Sequence, residues 1–491
     1  MSIKEDLQVR EICLEVLLSV FRQEEFSHVL IKGVLDKNDD WEPGKKAFFK
    51  KLTMGVIERK TELDYVISKF CRQPIPRIRP VLLVILEMGA YQILYMDHVY
   101  DTKACNLCVE LAKMKGFKNL SGFVNGVLRA LVAGKDSLVY PKAEENPTQY
   151  LSVTYSFPEW MVKLFIDQYG FGKTEEILKG YLEEQKLSVH VSATLSEEEV
   201  KALVSSWEEE GIRVEECAFL PRAYTLSALN VPETAFVHPP EAGKIPVSGL
   251  KPIEGKENPM LRRLPAVKDL AGYEEGRFVV QDFASQLVGH LMPLKEDAIV
   301  VDTCASPGGK SLYIADRLRG EGKGGHVFSF DVSQNKVDKI RENAERLKPD
   351  NLTIGIWDAT KENPEFLEKA DVVLTDVPCS GLGVIGKKPD LKYRLIEADL
   401  ESINELQKQI VKEAVKDLKE GGVLVYSTCT VNAGENEEMC AWMQANLPLK
   451  ELAFRDFPAG IADCRISKGA LKLLPGEHGC DGFFIALFQK Y

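Results

Sequence analysis

Over residues 1–140 apolar positions recur at intervals of three and four, as in Ile12, Val16, Leu17, Val20 and Phe21 and again in Phe48, Leu52, Val56 and Ile57. That is the period of a helix with one buried face, and strand-like alternation is scarce. The prolines at 74, 76 and 80 break the pattern, and further helices are expected over 81–96, 101–115 and 119–133. Residues 141–185 read as a linker followed by helices, with Phe157-Pro158-Glu159-Trp160 as a helix start. The character then changes. Leu187 to Val191 alternates like a strand, Ser196 with Glu199 forms a capping box before a helix, and Ile212-Arg213-Val214 reads as a second short strand. This predicts a small α+β module, with an irregular connection over 241–275. From about 276, apolar runs alternate with amphipathic stretches. Strands are expected at Ala298–Asp302, Val327–Asp331, Leu352–Ile356, Val372–Asp376, Val423–Ser427 and Phe483–Phe488. The helices between them are placed at 310–319, 333–347, 397–419 and 435–445, with Gly421-Gly422 as a helix stop. Such alternation predicts a doubly wound α/β domain with a mostly parallel sheet.

A chain of 491 residues exceeds one core, so two to four domains are expected. The pattern divides it into 1–140, 141–275 and 276–491. The longest apolar stretch, Val81 to Met96, is interrupted by Glu87 and is shorter than a membrane span, so a buried helix is expected. No signal-peptide pattern opens the chain. Eleven cysteines at irregular spacing do not form a disulfide framework, which points to the reducing cytoplasm. The formal charge of −12 is unevenly spread: residues 1–140 hold 21 basic and 18 acidic side chains, a net +3, whereas 141–240 hold 8 and 17. Any contact with RNA is therefore expected on the first domain and on local basic patches of the last.

Chemistry concentrates at the strand ends. Val300-Val301-Asp302 runs into Thr303-Cys304-Ala305-Ser306-Pro307-Gly308-Gly309-Lys310 and then a helix. In that geometry backbone N–H groups and a helix N-terminus face a ligand, and Gly308 and Gly309 permit close backbone approach. The spacing is not GxGxxG, so a dinucleotide fingerprint is absent. Asp331 ends the next strand, where a carboxylate can accept both ribose hydroxyls, and Asp358 follows the third, where one can meet an adenine edge. A nucleotide-type cofactor is implied, held by Cys304, Ala305, Ser306, Pro307, Gly308, Gly309, Lys310, Asp331 and Asp358.

Two thiols complete the set. Cys379 in Thr375-Asp376-Val377-Pro378-Cys379-Ser380-Gly381 and Cys429 in Tyr426-Ser427-Thr428-Cys429-Thr430 each follow a buried-strand pattern. If those strands are neighbours, both thiols face one cleft. Carbon 5 of cytosine is a poor nucleophile. Adding a thiolate to carbon 6 turns it into an enamine carbon able to attack an electrophilic methyl, which is nucleophilic catalysis. A second group must then help remove the carbon 5 proton. The thiolate requires a positive neighbour or a helix N-terminus, and Asp376 is placed to bond the N3–amino edge of the ring. Sequence alone does not say which thiol is the nucleophile.

Cys304–Lys310, Thr375–Gly381 with Pro389-Asp390-Leu391-Lys392, and Tyr426–Thr430 with Glu435-Asn436 resemble the motifs of RNA cytosine-5 methyltransferases that use S-adenosylmethionine. The helical first domain, with Gly122 to Arg129, is similar to the NusB antitermination-factor fold. Together they resemble the bacterial ribosomal small-subunit methyltransferase B family, also called Sun or Fmu. The resemblance implies an all-α NusB-like N-terminal domain, a small α+β module and a C-terminal Rossmann-like methyltransferase domain. It also implies Cys429 as nucleophile, Cys379 as the group assisting product release, Lys310 as an aid in orienting them, and S-adenosylmethionine held at Cys304–Lys310, Asp331, Asp358 and Asp376. Ser306 and Ser311 stand where relatives often have Ala and Thr. Gly476 to Phe484 fits a closing motif in which Cys480 is unusual.

The expected partner is small-subunit ribosomal RNA, bound at a cytosine rotated out of its stack. Lys387, Lys388, Lys392 and Arg394, with Arg262-Arg263 and the cluster Arg72, Arg77 and Arg79, are candidate phosphate contacts. No membrane partner is expected, and a monomer is favoured. Cys105-x-x-Cys108 has no partner pair and the seven histidines are scattered along the sequence, so no metal site is expected. The rival readings are a cytosine-5 methyltransferase acting on another nucleic acid, an amine methyltransferase, and a non-catalytic RNA-binding or assembly factor. The turn Asp376-Val377-Pro378-Cys379 departs from the Asn/Asp-Pro-Pro-aromatic turn of amine methylation. The paired thiols argue against the DNA enzymes, and with the cofactor loop against a silent factor.

Overall fold

The three-and-four periodicity of the first 140 residues closes into a helical bundle in the computed structural model, which describes residues 3–183, 186–228 and 264–491. The described chain forms two compact units, one of 3–182 with 387–397 and one of the remainder.

The first unit contains α1 (Ile3–Phe21), α2 (Ser27–Lys37), α3 (Pro43–Phe70), α4 (Pro80–Tyr95), α5 (Asp101–Met114), α6 (Ser121–Gly134), α7 (Pro147–Tyr155) and α8 (Glu159–Gly180), the last broken at Gly170, whose φ is +75°. Proline opens α3, α4 and α7, where a missing N–H costs nothing and φ is already helical. Asn146 also caps α7 by accepting from the Gln149 N–H. Val9, Leu14, Leu17, Phe49, Leu52, Val56, Ile85, Leu86 and Leu128 share the core. The apolar stretch around Glu87 is α4, buried from Leu82 to Ile93 except at Leu83. Glu87 is itself fully buried and meets Lys60 Nζ at 2.7 Å. Burial raises its pKa to about 8 against the pull of that lysine. Among the described residues no helix is long and apolar enough to cross a membrane.

Residues 387–397 pack within this first unit, which corrects the expectation for two of its basic residues. Lys392 is 2% exposed, and its Nζ donates to the Glu58 and Ser156 carbonyls at 2.8 Å each. It lies over the Phe157 ring, and burial lowers its pKa to about 7. Asp390 accepts from the Ser27 N–H and Oγ–H and pairs with Arg394, which stacks on Phe26. Lys392 and Arg394 are thus structural pegs. Lys387, Lys388, Arg72, Arg77 and Arg79 are exposed, as phosphate contacts require, and Arg262-Arg263 lies outside the described residues. Lys392→Ala is expected to cost about 2–4 kcal/mol, because a buried and a half-buried carbonyl lose their donor. Its melting temperature should fall while the salt dependence of RNA binding stays unchanged. A reduced salt slope at wild-type stability would restore the phosphate role.

In the second unit, β1 (Leu187–Val191), α9 (Glu197–Glu209), β2 (Ile212–Glu216), β3 (Ala223–Ala228) and β4 (Phe278–Val280) form an antiparallel sheet of order β2-β3-β1-β4 with one helix. The Ser196–Glu199 capping box is present. The larger sheet follows: α10 (Phe283–Leu291), β5 (Ala298–Asp302), α11 (Gly309–Gly320), β6 (Gly325–Asp331), α12 (Gln334–Leu347), β7 (Leu352–Ile356), β8 (Ala370–Asp376), α13 (Asp399–Asp417), β9 (Leu418–Thr428), α14 (Glu437–Asn446), β10 (Leu449–Glu451), β11 (Ala470–Leu473) and β12 (Phe483–Lys490). Its order is β10-β12-β9-β8-β5-β6-β7, with β11 on β12. Strands β9, β8, β5, β6 and β7 are parallel, and β12 runs antiparallel to β9.

Side chains alternate across a strand, and both faces are covered. Val300, Val372 and Val425 join α10 and α11 in one core, whereas Val301, Val373 and Leu424 join α13 and α14 in the other. Double burial explains the unbroken apolar runs. One local expectation is corrected. α13 ends at Asp417, before Gly421-Gly422, and these glycines lie inside β9. Ala370 pairs with Leu418 and Val372 with Val423, so residues 419–422 bulge from the ladder, with Gly421 at φ +74°.

Candidate active site

Five parallel strands put five carboxyl ends on one edge, the place where open α/β sheets gather ligand-binding groups. β8 and β9 are neighbours in register, Thr375 beside Tyr426 and Asp376 beside Ser427. The condition for a shared cleft is therefore met.

On the β5–β7 side lies the predicted loop. After Asp302 the chain turns at a cis Ser306–Pro307 bond and reaches Gly308 at φ +100° before α11 begins. A Cβ at Gly308 would press on Ile340, so both the backbone conformation and the packing require glycine. The Ala305 N–H donates to Phe330 O, and the Ser306 N–H donates to Asp331 Oδ2 at 3.0 Å. Asp331 also accepts from the Val332 N–H and pairs with Lys336. Asp358 accepts from the Thr360 N–H and hydroxyl and pairs with Lys361. These contacts, led by the Thr360 hydroxyl, lower its pKa. Val332 and Ile356 are 54% and 49% exposed, large apolar groups left uncovered beside these carboxylates at the strand ends. Two acids, a helix N-terminus and exposed apolar surface suit an adenosine bearing a charged tail. Cys304, Ala305, Pro307 and Gly309 belong to the same turn. The Cys304 thiol is pushed up by burial, which fits a packing role.

On the β8–β9 side, Cys379 Sγ and Cys429 Sγ lie 3.3 Å apart. Their loops are tied by backbone, the Gly383 N–H donating to Cys429 O at 2.9 Å. They are tied again by Glu435, fully buried. Its carboxylate accepts from the Ser380 N–H (2.9 Å), the Ser380 hydroxyl (2.5 Å), Gln407 Nε2 (3.0 Å) and Asn432 Nδ2 (3.1 Å). Ser380 follows one thiol and Thr430 the other, and their hydroxyls are 2.8 Å apart. Asn436 accepts from the Thr428 hydroxyl and donates to Thr430 O. Glu435 and Asn436 were legible as motif letters, but their function as the buried clamp on both loops was not. Gln407, on α13, carried no signal.

Lys310 joins the two halves. Its Nζ pairs with Asp376 Oδ2 at 2.6 Å, and the Ser427 hydroxyl donates to Asp376 Oδ1 at 2.7 Å. Burial opposes the Lys310 charge, but Asp376, Cys429 and Asp302 outweigh it and raise its pKa. It therefore remains an ammonium within the field of Cys429. Cys379 behaves oppositely: its hydrogen bond with Cys429, then burial, push its thiol well above the ordinary range.

Beneath the loop, Asp302 is fully buried and accepts from the Ser311 hydroxyl at 2.6 Å. Burial raises its pKa from 3.8 to about 7. A carboxyl with a raised folded pKa contributes stability fully below its unfolded pKa and loses it as pH rises through the folded value. Denaturant unfolding should therefore show wild type losing stability relative to Asp302→Asn between about pH 4 and 7. A pH-independent difference would overturn this assignment.

The chain matches known proteins over nearly its whole length. A family model described as 16S rRNA methyltransferase RsmB/F matches residues 289–489, and the NusB family model matches 7–133. A Bacillus subtilis protein named as a probable ribosomal RNA small subunit methyltransferase B is 31% identical over 98% of this chain and 98% of its own. A Pyrococcus horikoshii tRNA (cytosine(72)-C(5))-methyltransferase is 34% identical over 46% of this chain and 56% of its own. The crystal structure of PH0851 superposes with a TM-score of 0.73 at 21% identity, covering 98% of this chain and 99% of that one.

Proposed function

Because the chain belongs to the ribosomal RNA small subunit methyltransferase B family, we propose that it methylates carbon 5 of a cytosine in small-subunit ribosomal RNA through a covalent cysteine adduct. The observation that carries this reading is the pair of strand-end thiols 3.3 Å apart, with the half-buried Lys310 ammonium in the field of Cys429. S-adenosylmethionine, which the Cys304–Lys310 turn, Asp331, Asp358 and Asp376 fit, supplies the electrophilic methyl that carbon 5 receives.

The chain's own groups divide the remaining work. Lys310 favours the Cys429 thiolate, which adds to carbon 6 of the ring. Asp376 has one oxygen on Lys310 and one on Ser427. Each keeps a second lone pair for the N3–amino edge of the base. Cys379 holds its proton while Cys429 is the neighbouring anion. Once that charge is spent in the bond to carbon 6, the first cause of the raised Cys379 pKa is gone, and its proton can leave to solvent. The Cys379 thiolate then takes the carbon 5 proton, and the carbon 6–sulfur bond breaks to return the Cys429 thiolate. This order of events follows the family likeness, which makes Cys429 the nucleophile, and the field of the Lys310 ammonium at Cys429 supports it.

The test is transfer of labelled methyl from S-adenosylmethionine to unmodified small-subunit ribosomal RNA, followed by nucleoside analysis. Labelled 5-methylcytidine at one position is expected. Label only in transfer RNA would replace the substrate. Cofactor binding without transfer to any RNA would favour a non-catalytic assembly factor.

A further inference from the structure

The loop before β12 carries two residues that the methyl-transfer reading does not use, His478 and Cys480. It packs against the short helical segment Ala459–Cys464, and together these place a thiol, an imidazole and a carboxylate side by side. His478 Nε2 is 3.1 Å from Asp463 Oδ2, and Cys464 Sγ is 4.0 Å from Asp463 Oδ1. One ligand atom from each of Asp463, Cys464 and His478 lies within 4.8 Å of the other two. Donors sharing one zinc ion, bound at about 2.0–2.3 Å, stand roughly 3.3–4 Å apart, so small side-chain adjustments suffice. Cys480 lies two residues from His478, its Sγ turned onto the His478 carbonyl at 3.5 Å and outside that 4.8 Å group. Cys464 and Cys480 are buried in one apolar cluster with Cys217, and Cys480 is within electrostatic range of both.

We propose that Asp463, Cys464 and His478, with Cys480 as fourth donor, form a binding site for a zinc-class divalent cation. The donor set selects the class: thiolate and imidazole favour zinc or cobalt over calcium or magnesium, which prefer oxygen. An ion pair between His478 and an aspartate 71% exposed contributes little by itself and gives no reason for a buried thiol against it. The cation would brace the 459–464 segment to the 476–480 loop. That loop continues into Gly482, whose N–H donates to Gly383 O, and the Gly383 N–H donates to Cys429 O. Metal binding would thus stiffen a strap that ends at the catalytic loops. Sequence spacing does not announce the site, because its donors come from two loops rather than from a Cys-x-x-Cys pair.

The test uses the full-length protein purified without a histidine tag. Metal analysis after dialysis is expected to find about one zinc per chain, and cobalt(II) titration of the zinc-depleted protein should give a thiolate-to-cobalt charge-transfer band. Cys464→Ser and His478→Gln should each weaken cobalt binding by more than the roughly 10–100-fold that changes outside a ligand set cause. Cys480→Ser should weaken it and reduce the band. Wild-type protein with neither zinc nor a cobalt–thiolate band would overturn the site. So would metal binding unchanged in Cys464→Ser and His478→Gln. Unchanged binding in Cys480→Ser would overturn the fourth donor.

Discussion

Cys429→Ala is expected to reduce methyl transfer by at least about 10³-fold, the scale of losing a nucleophile that acts as a unit with its neighbours. Cys379→Ala is expected to stop the reaction one step later. The physical reason lies in the 3.3 Å thiol pair and in its asymmetry. Lys310 sits in the field of Cys429, whereas Cys379 is held protonated by its hydrogen bond to Cys429 and by burial. Without Cys429 no carbon 6 adduct forms. Without Cys379 the adduct forms and is methylated, but the carbon 5 proton has no base and the carbon 6–sulfur bond persists. A denaturing gel of enzyme, labelled RNA and S-adenosylmethionine should show a shifted covalent band for Cys379→Ala and none for Cys429→Ala. The opposite pattern would exchange the two roles. Transfer at the wild-type rate by Cys429→Ala would remove Cys429 as the nucleophile.

How much of this was legible follows from how far each feature depends on distant residues. The cofactor turn is local: strand, glycines and helix lie within a dozen positions, and the sequence pattern locates it. The thiols were legible as strand-end residues, but their 3.3 Å approach required β8 and β9 to be neighbours in register. β4 escaped notice because three residues give no periodicity and its pairing with β1 joins positions about ninety apart. Gly421-Gly422 resembled a helix stop because glycine serves equally at a helix end and in a bulge. Lys392 shows the largest inversion. A lysine in a polar loop reads as solvated, yet its ammonium is fixed by carbonyls 334 and 236 residues earlier in the chain. Burial of that kind is a property of the packed chain and leaves no mark on the local pattern.

The buried clamp leads to the second large effect: Glu435→Ala is expected to destabilise the second unit by about 3–5 kcal/mol, the cost of breaking a buried charged network by removing one partner. The carboxylate accepts from Ser380, Gln407 and Asn432, and its removal leaves those donors unsatisfied in a dry interior. Because Ser380 follows Cys379 and bonds Thr430, which follows Cys429, the 3.3 Å thiol geometry should loosen with it. Transfer should then fall at least about 100-fold, since small misplacements of reacting groups have effects of that size. Glu435→Gln preserves the shape and separates positioning from mere stability. It removes a negative charge that helps to keep Cys379 protonated, so the pH profile for alkylation of Cys379 should move to lower pH. A loss of stability alone would leave that profile unmoved. Glu435→Gln with an unshifted profile, or Glu435→Ala with wild-type melting and turnover, would show that the two loops hold the thiols without the clamp.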